Sequence, residues 1–154
     1  LYHELYGLDY VALRFANVYG ERQGDGGEGG VISIFTKKVA HDESITINGD
    51  GNQTRDFIYV GDIASAILQA VRTTHCNTVY NVSTKTEVTI NAMAQLLNEI
   101  SGKEIKPTYG PARSGDIYRS VLSNDKAVRG LTWQPMISLK EGLTRTYHYF
   151  AKIK

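Results

Sequence analysis

Gly49-Asp50-Gly51-Asn52-Gln53-Thr54-Arg55-Asp56-Phe57-Ile58-Tyr59-Val60-Gly61-Asp62-Ile63-Ala64 joins a glycine-rich turn, an arginine, a short apolar strand and the start of a helix. Phe57-Ile58-Tyr59 has strand length and composition. Asp62 is favoured at a helix start, where it faces the positive end of the helix dipole. The following Ile63 to Arg72 is rich in Ala, Ile and Leu, apolar on most faces, and predicts a well-buried helix. Upstream, Ile45-Thr46-Ile47 reads as a second short strand, so Asn48-Gly49-Asp50-Gly51 predicts a hairpin or a wide turn. Arg55 at the turn–strand junction presents a planar donor fork to an anion such as a diphosphate. A second arginine stands in Gly110-Pro111-Ala112-Arg113-Ser114-Gly115-Asp116. Two arginines on separate loops can clamp one diphosphate from two sides. Either alone would more often be a surface ion pair.

Outward from this stretch the chain alternates strands and helices. Tyr10-Val11-Ala12-Leu13-Arg14-Phe15-Ala16 is nearly continuous apolar sequence, as in a strand buried on both faces of a parallel sheet. Gly20 to Gly30 holds six glycines in eleven residues and reads as a long loop. Val31, Ile34, Phe35 and Val39 follow helical spacing over about Gly30 to His41. Thr78 to Val82 is another strand. Thr89 caps a helix through Ile100 that ends at Gly102. Lys106 to Tyr109 reads as a short strand, and Ser123 as the cap of a brief helix to Val128. Ser138 and Glu141 form a capping box. Leu139, Leu143, Tyr147 and Phe150 give the last helix its apolar stripe. This order predicts an α/β fold.

Leu1, Leu5 and Leu8 lie near helical spacing and Gly7 suits a helix C-cap, so Leu1 to Tyr6 reads as the tail of a helix. The expectation is a fragment of a longer protein; a chain starting at a natural boundary is the alternative. At 154 residues and 17.1 kDa, one compact domain is the default. The net charge of +1 argues against a nucleic-acid binder. The single cysteine, Cys76, excludes an internal disulfide and suits a reducing, cytoplasmic setting. No apolar run approaches the roughly 18 residues that span a membrane. His3, His41, His75 and His148 show no metal-ligand spacing. The ten tyrosines lack basic interleaving, so packing explains them better than stacking on single-stranded nucleic acid.

Three segments carry a resemblance to a known family. Leu13-Arg14-Phe15-Ala16-Asn17-Val18-Tyr19-Gly20-Glu21-Arg22-Gln23, then Gly49 to Ala64, then Arg113-Ser114-Gly115-Asp116, occur in this order. Together they resemble the C-terminal half of the extended short-chain dehydrogenases/reductases. The NAD-dependent nucleotide-sugar epimerases, UDP-glucose 4-epimerases above all, are most similar. The match runs from residue 1 to about residue 150. The resemblance implies a C-terminal substrate-binding lobe plus the last strand and helix of a Rossmann-type parallel sheet, with the N-terminal Rossmann lobe missing. Residues 1–25 would be the remnant of the NAD-binding lobe and 26–154 the nucleotide-sugar lobe. It implies that Phe15 and Ala16 bring backbone near the nicotinamide and that Asn17 donates its amide to the sugar nucleotide. It places Val31, Thr46, Ile47 and Asn48 around the substrate, the last three at the base. Arg55 and Arg113 would hold the diphosphate. Asp116 would accept from ribose hydroxyls or orient Arg113. Each has a plainer reading: Asn17 as a strand-end cap, Ile47 as core, Asp116 as a turn residue. Glu21 departs from the proline of many relatives, and the Gln23 to Gly30 loop varies with sugar specificity.

The chemistry of such an enzyme needs parts that this sequence lacks. No G-x-G-x-x-G or G-x-x-G-x-x-G turn follows a strand. Gly24 to Gly30 looks superficially like one, but its two acids would repel phosphate. The family's catalytic Y-x-x-x-K pair occurs nowhere; the resemblance puts it just upstream of Leu1. The expected catalytic set here is therefore empty, no metal is expected, and the chain alone is expected to be inactive. Three readings result: the substrate-binding part of an NAD-dependent UDP-sugar 4-epimerase, a 4,6-dehydratase or decarboxylase of the same superfamily, or a non-catalytic nucleotide-sugar binding module. The expected partners are a UDP-sugar, the missing lobe and, as a homodimer, a second copy. An isolated chain would expose its central strand edge and an apolar patch through Leu1, Leu5, Leu13 and Phe15.

Overall fold

β-branched and aromatic residues build the strands of this chain, and most of them pair in parallel. The computed structural model describes residues 1–24 and 29–153. Strand β1 (Val11–Phe15) lies parallel to β6 (Thr78–Val82), Val11 opposite Thr78 and Phe15 opposite Val82. Strand β2 (Asn17–Tyr19) lies parallel to β5 (Phe57–Tyr59), and β3 (Thr46–Asn48) to β8 (Thr108–Gly110). Among the described strand pairs only β4 (Thr54–Arg55) with β7 (Val88–Thr89) is antiparallel. Six helices complete the described chain: α1 (Tyr2–Tyr6), α2 (Val31–Ala40), α3 (Val60–Arg72), α4 (Ile90–Ser101), α5 (Asp125–Gly130) and α6 (Leu139–Lys152). The architecture is α/β with parallel strand pairs.

Several local signals act as expected. Gly7 and Gly102 take the left-handed conformation at the ends of α1 and α4. Thr89 Oγ1 accepts the Ala92 N–H at 3.1 Å and caps α4. Ser138 Oγ accepts the Glu141 N–H at 3.2 Å, but the Glu141 carboxylate takes Arg145 rather than closing the box. Leu143 and Phe150 of the last-helix stripe are buried.

Other expectations are corrected. Of the hairpin or wide turn expected between Ile45–Ile47 and Phe57–Tyr59, the hairpin does not form. The turn between them is wide, and each strand pairs elsewhere because both sit in parallel registers. Gly51, at φ 76°, places its carbonyl to accept the Asn91 N–H, and a side chain there would collide with Asn91. The 10–16 segment is not sealed on both faces: it is half-buried, with Phe15 exposed. Helix α3 buries only Asp62, Ile63 and Ala66, while Ile67, Leu68 and Val71 face outward, the last 79% exposed. Its described neighbours cover one stripe of an apolar helix. Asp62 does more than start α3: its carboxylate accepts the Met136 and Ile137 N–H groups. Helix α5 begins at Asp125, with Asn124 at its cap position, and β8 begins at Thr108. The Gly24–Gly30 cradle reading falls largely outside the described residues.

The apolar side chains form two cores. One packs Ile32, Phe35 and Val39 of α2 against Met93 and Leu97 of α4, Leu143 of α6, and Tyr19, Ile47 and Phe57. The other gathers Ile58, Ile63, Ala66, Tyr80, Val82, Ala127, Leu131 and Trp133, with Val11, Leu13 and Val18 packed on them. The two cores alternate along the chain instead of following one another.

The buried Asp56 immediately precedes Phe57 of the first core and Ile58 of the second. Its carboxylate accepts from Thr84 N at 2.9 Å, Thr84 Oγ1 at 2.7 Å and Lys85 N at 3.1 Å. Its carbonyl accepts the Asn17 N–H at 2.9 Å. One residue thus fixes the end of β6, the start of β2 and, through its chain neighbour, the position of Arg55.

Candidate functional site

The ends of β2, β3 and β4, the first turns of α2 and α4, and the 113–116 loop converge on one cavity of about 230 Å³. Asn17, Val31, Thr46, Ile47, Asn48, Arg55, Arg113 and Asp116 all line it, so every substrate-side residue expected from the sequence comes to one place. Gly29, Ile34, Phe35, Gln53 and Ile90 complete the wall. Phe15 and Ala16 do not line it. They lie where β1 passes into β2, Phe15 at the same strand end as Val82 of the parallel partner. In open parallel sheets that edge is where ligands gather.

The polar groups are held in different ways. Arg55 is half-buried; its Nη1 donates to its neighbour Thr54 O at 2.8 Å and its Nη2 to Asp116 Oδ1 at 2.5 Å. Asp116 therefore orients Arg55; of the two roles expected for it, acceptor from ribose hydroxyls or partner of Arg113, the second is corrected. The correction follows from loop geometry: the Asp116 N–H donates to Arg113 O in a turn, which leaves its carboxylate facing the β4 side. Arg113 is placed by Asn48. With the Asn48 amide turned so that its oxygen faces the guanidinium, it accepts from Nε at 3.0 Å and Nη2 at 3.3 Å. The Asn17 N–H is spent on Asp56 O, and its side-chain amide has no partner among the described residues. Thr46 Oγ1 shares a 3.0 Å hydrogen bond with Thr108 Oγ1 across the β3–β8 pair.

The electrostatics favour an anion. Two guanidiniums stand against one carboxylate in the wall. Helix α2 points its N-terminus at the cavity, with no side-chain cap and no acid in its first turn. The apolar part of the wall, Val31, Ile34, Phe35, Ile47 and Ile90, suits the flat face of a ring. The Gly20 end of the preceding loop is tied down by Tyr59, whose hydroxyl donates to Glu21 Oε2 at 2.7 Å and Oε1 at 2.9 Å. Burial and that carboxylate raise the Tyr59 pKa above the ordinary phenol value.

Phe35, Ile34, Ile90 and Gln53 were not singled out from sequence as site residues. Phe35 and Ile34 carry the helical spacing of core residues, and their side chains serve both purposes. Gln53 lies inside the stretch that decides the fold, two residues before Arg55, without a chemical signature of its own.

The α/β fold thus sets two arginines, an apolar wall and parallel strand ends around one small cavity. The chain belongs to the NAD dependent epimerase/dehydratase family, whose model matches residues 1–83. It is 44% identical over 149 residues to a protein named as a putative UDP-glucose 4-epimerase of Methanocaldococcus jannaschii, covering 97% of this chain and 48% of that protein. It is 30% identical to UDP-glucuronic acid decarboxylase 1 of Arabidopsis thaliana, over 94% of this chain and 33% of that protein. The crystal structure of the Thermotoga maritima UDP-glucose 4-epimerase with UDP-glucose superposes with a TM-score of 0.94 at 44% identity, over 98% of this chain and 48% of that one. The chain spans about half the length, or less, of these proteins. No helix among the described residues is long and apolar enough to cross a membrane.

Proposed function

We propose that this chain is the nucleotide-sugar-binding part of an NAD-dependent UDP-sugar 4-epimerase that interconverts UDP-glucose and UDP-galactose through transient oxidation at C4. The observation that carries the reading is the convergence of Asn17, Thr46 to Asn48, Arg55 and Arg113 on one cavity. Arg55 and Arg113 neutralise the diphosphate from two loops. Ile47, Phe35 and Ile90 give the base an apolar seat, and the Thr46–Asn48 backbone borders it. Asp116 accepts from the ribose hydroxyls while holding Arg55. The unpartnered Asn17 amide donates to the sugar side. Phe15 and Ala16 mark the nicotinamide end. The exposed Phe15 beside parallel strand ends suits a planar group there. NAD, when bound, supplies the hydride acceptor and donor. In this reading residues 1–25 belong with the NAD side and 26–154 mostly with the sugar-nucleotide side. The Tyr/Lys pair and the glycine-rich turn come from sequence outside this chain, so the chain alone is inactive, and the whole enzyme works as a cytoplasmic homodimer.

The kinship with a UDP-glucuronic acid decarboxylase favours one second reading, a nucleotide-sugar decarboxylase or dehydratase built on the same binding half. Incubating the full protein with NAD and UDP-glucose, then UDP-glucuronate, separates them. Formation of UDP-galactose supports the epimerase. Release of CO₂ from UDP-glucuronate supports the decarboxylase.

A further inference from the structure

Gln53 is buried, with 9% of its surface exposed, yet its side chain makes a single hydrogen bond among the described residues. Its Nε2 donates to the Asn48 carbonyl at 2.7 Å, and its backbone carbonyl accepts the Ile90 N–H at 3.2 Å. Oε1 has no partner among the described residues. The oxygens of Gln23 and Asn98 are also unpartnered, but they are sealed from any solvent. Gln53 Oε1 is not sealed, so the little exposure the residue keeps includes this atom. Gln53 lines the cavity described above and also an adjoining one of about 270 Å³, whose wall includes Asp50, Ile117 and Tyr118. Asn48, Arg113 and Asp116 border both.

The amide is planar, and the bond from Nε2 to Asn48 O fixes which end is which. Oε1 is therefore held as an acceptor, and the residue cannot flip to present its N–H₂ without breaking a short bond in a buried place. A buried acceptor with no protein partner is satisfied by a ligand or by water.

Resting on the nucleotide-sugar reading above, we propose that Gln53 is a specificity-determining residue: its Oε1 accepts a hydrogen bond from a donor on the nucleoside. Two donors have the required chemistry, the imino N3–H of a uracil-type base and a ribose hydroxyl. Cytosine offers an acceptor at N3, so a contact to the base would reject it. Leaving such an acceptor unpaired costs roughly tenfold in affinity.

The test is calorimetric titration of the full protein with UDP, N3-methyl-UDP, 2′-deoxy-UDP and 3′-deoxy-UDP, repeated on Gln53→Met. In the unaltered protein one analogue is expected to bind about tenfold more weakly than UDP. In Gln53→Met that difference is expected to vanish. Loss with N3-methyl-UDP assigns the base, and loss with a deoxy analogue assigns the ribose. If Gln53→Met does not fold, Gln53→Leu, which also removes the acceptor, is expected to lose the discrimination in the same way. Analogues that all bind like UDP, or a discrimination that survives in the folded variant, overturn the proposal. Absence of any UDP binding by the unaltered protein overturns the nucleotide-sugar reading, and this one with it.

Discussion

Arg55 and Asp116 stand 61 residues apart in the chain and meet at 2.5 Å in the wall of the cavity. The pair does two things at once. It fixes a guanidinium whose other arm rests on Thr54 O, and it ties the 113–116 loop to strand β4. Asp116 is exposed, so as an ion pair the contact adds little to stability. Its value is geometric, because a fork already aimed loses less freedom when an anion arrives.

Arg113 has the looser anchorage, an exposed side chain against the Asn48 amide. Charge-assisted contacts to phosphate are each worth roughly 1.5–3 kcal/mol. In the full protein, Arg113→Ala is expected to raise KM for the sugar nucleotide about tenfold or more and to leave NAD affinity little changed. Steady-state kinetics with direct NAD titration checks this, and an unchanged KM removes the clamp. Arg55→Ala is expected to cost more, since it also frees the loop that carries Arg113.

Asp56 predicts a stability effect. Asp56→Ala strips the acceptor from the N–H groups of Thr84 and Lys85 and from the Thr84 hydroxyl. Those donors are part-buried, and the variant is expected to lose about 3 kcal/mol. Urea denaturation reads the loss. A value below about 1 kcal/mol would mean that water replaces the carboxylate.

Gly142 lies in α6 directly beneath Tyr19, and a Cβ there would sit 2.8 Å from Tyr19 Cζ and overlap its hydroxyl. Tyr19 is buried, with its hydroxyl donating to Leu139 O at 3.4 Å, so it has no room to retreat. Although alanine is the better helix former, Gly142→Ala is expected to destabilise by about 2 kcal/mol through overpacking. Adding Tyr19→Phe should recover part of that loss in thermal melts. No recovery would place the strain elsewhere.

Arg119 donates to Glu87 from Nε and Nη2, and Thr54 Oγ1 donates to the same carboxylate. The Arg119 contact above all holds the Glu87 carboxyl below its ordinary value of 4.5. The folded state then binds fewer protons than the unfolded state between the two values. The contribution is complete above pH 4.5 and is lost as pH falls through the lowered value. Glu87→Gln is expected to flatten that part of the acid limb in denaturation curves between about pH 7 and about pH 3. An unchanged limb would assign the acid sensitivity to other carboxylates.

Legibility in the sequence followed the range of the interactions. The caps at Thr89, Ser138 and Gly102 depend on residues within one turn and could be read directly. The stripe Leu139, Leu143, Tyr147 and Phe150 depends only on the helical period. Strand partners were not readable, because β3 finds β8 across 62 residues, shown by the Thr46–Thr108 contact, and no local signal announces it. The outward face of α3 misled for a related reason: an apolar composition says that a surface is sticky, not what covers it. The cavity was legible where residue type is tied to chemistry, at Arg55, Arg113, Asn17 and Asp116. The finer pairing of Asp116 with Arg55 rather than Arg113 depends on which way a loop turns, and Gln53 becomes visible only through the atom it leaves unpaired.

The interleaving of the two cores sets a timetable for folding. During synthesis the Val11–Phe15 strand is complete long before its parallel partner Thr78–Val82 has been made. Its apolar side chains and one open edge must wait while the whole α2–β3–α3 region emerges. Loop closure over that distance is slow to be rewarded, and unpaired strands are the surfaces on which nascent chains misassociate. Tyr80 and Val82, by contrast, arrive when Ile58 and Ile63 are already nearby in sequence and in space. The core around Val11–Phe15 therefore closes from its C-terminal side, and of the strands in that core this one waits longest for its partner.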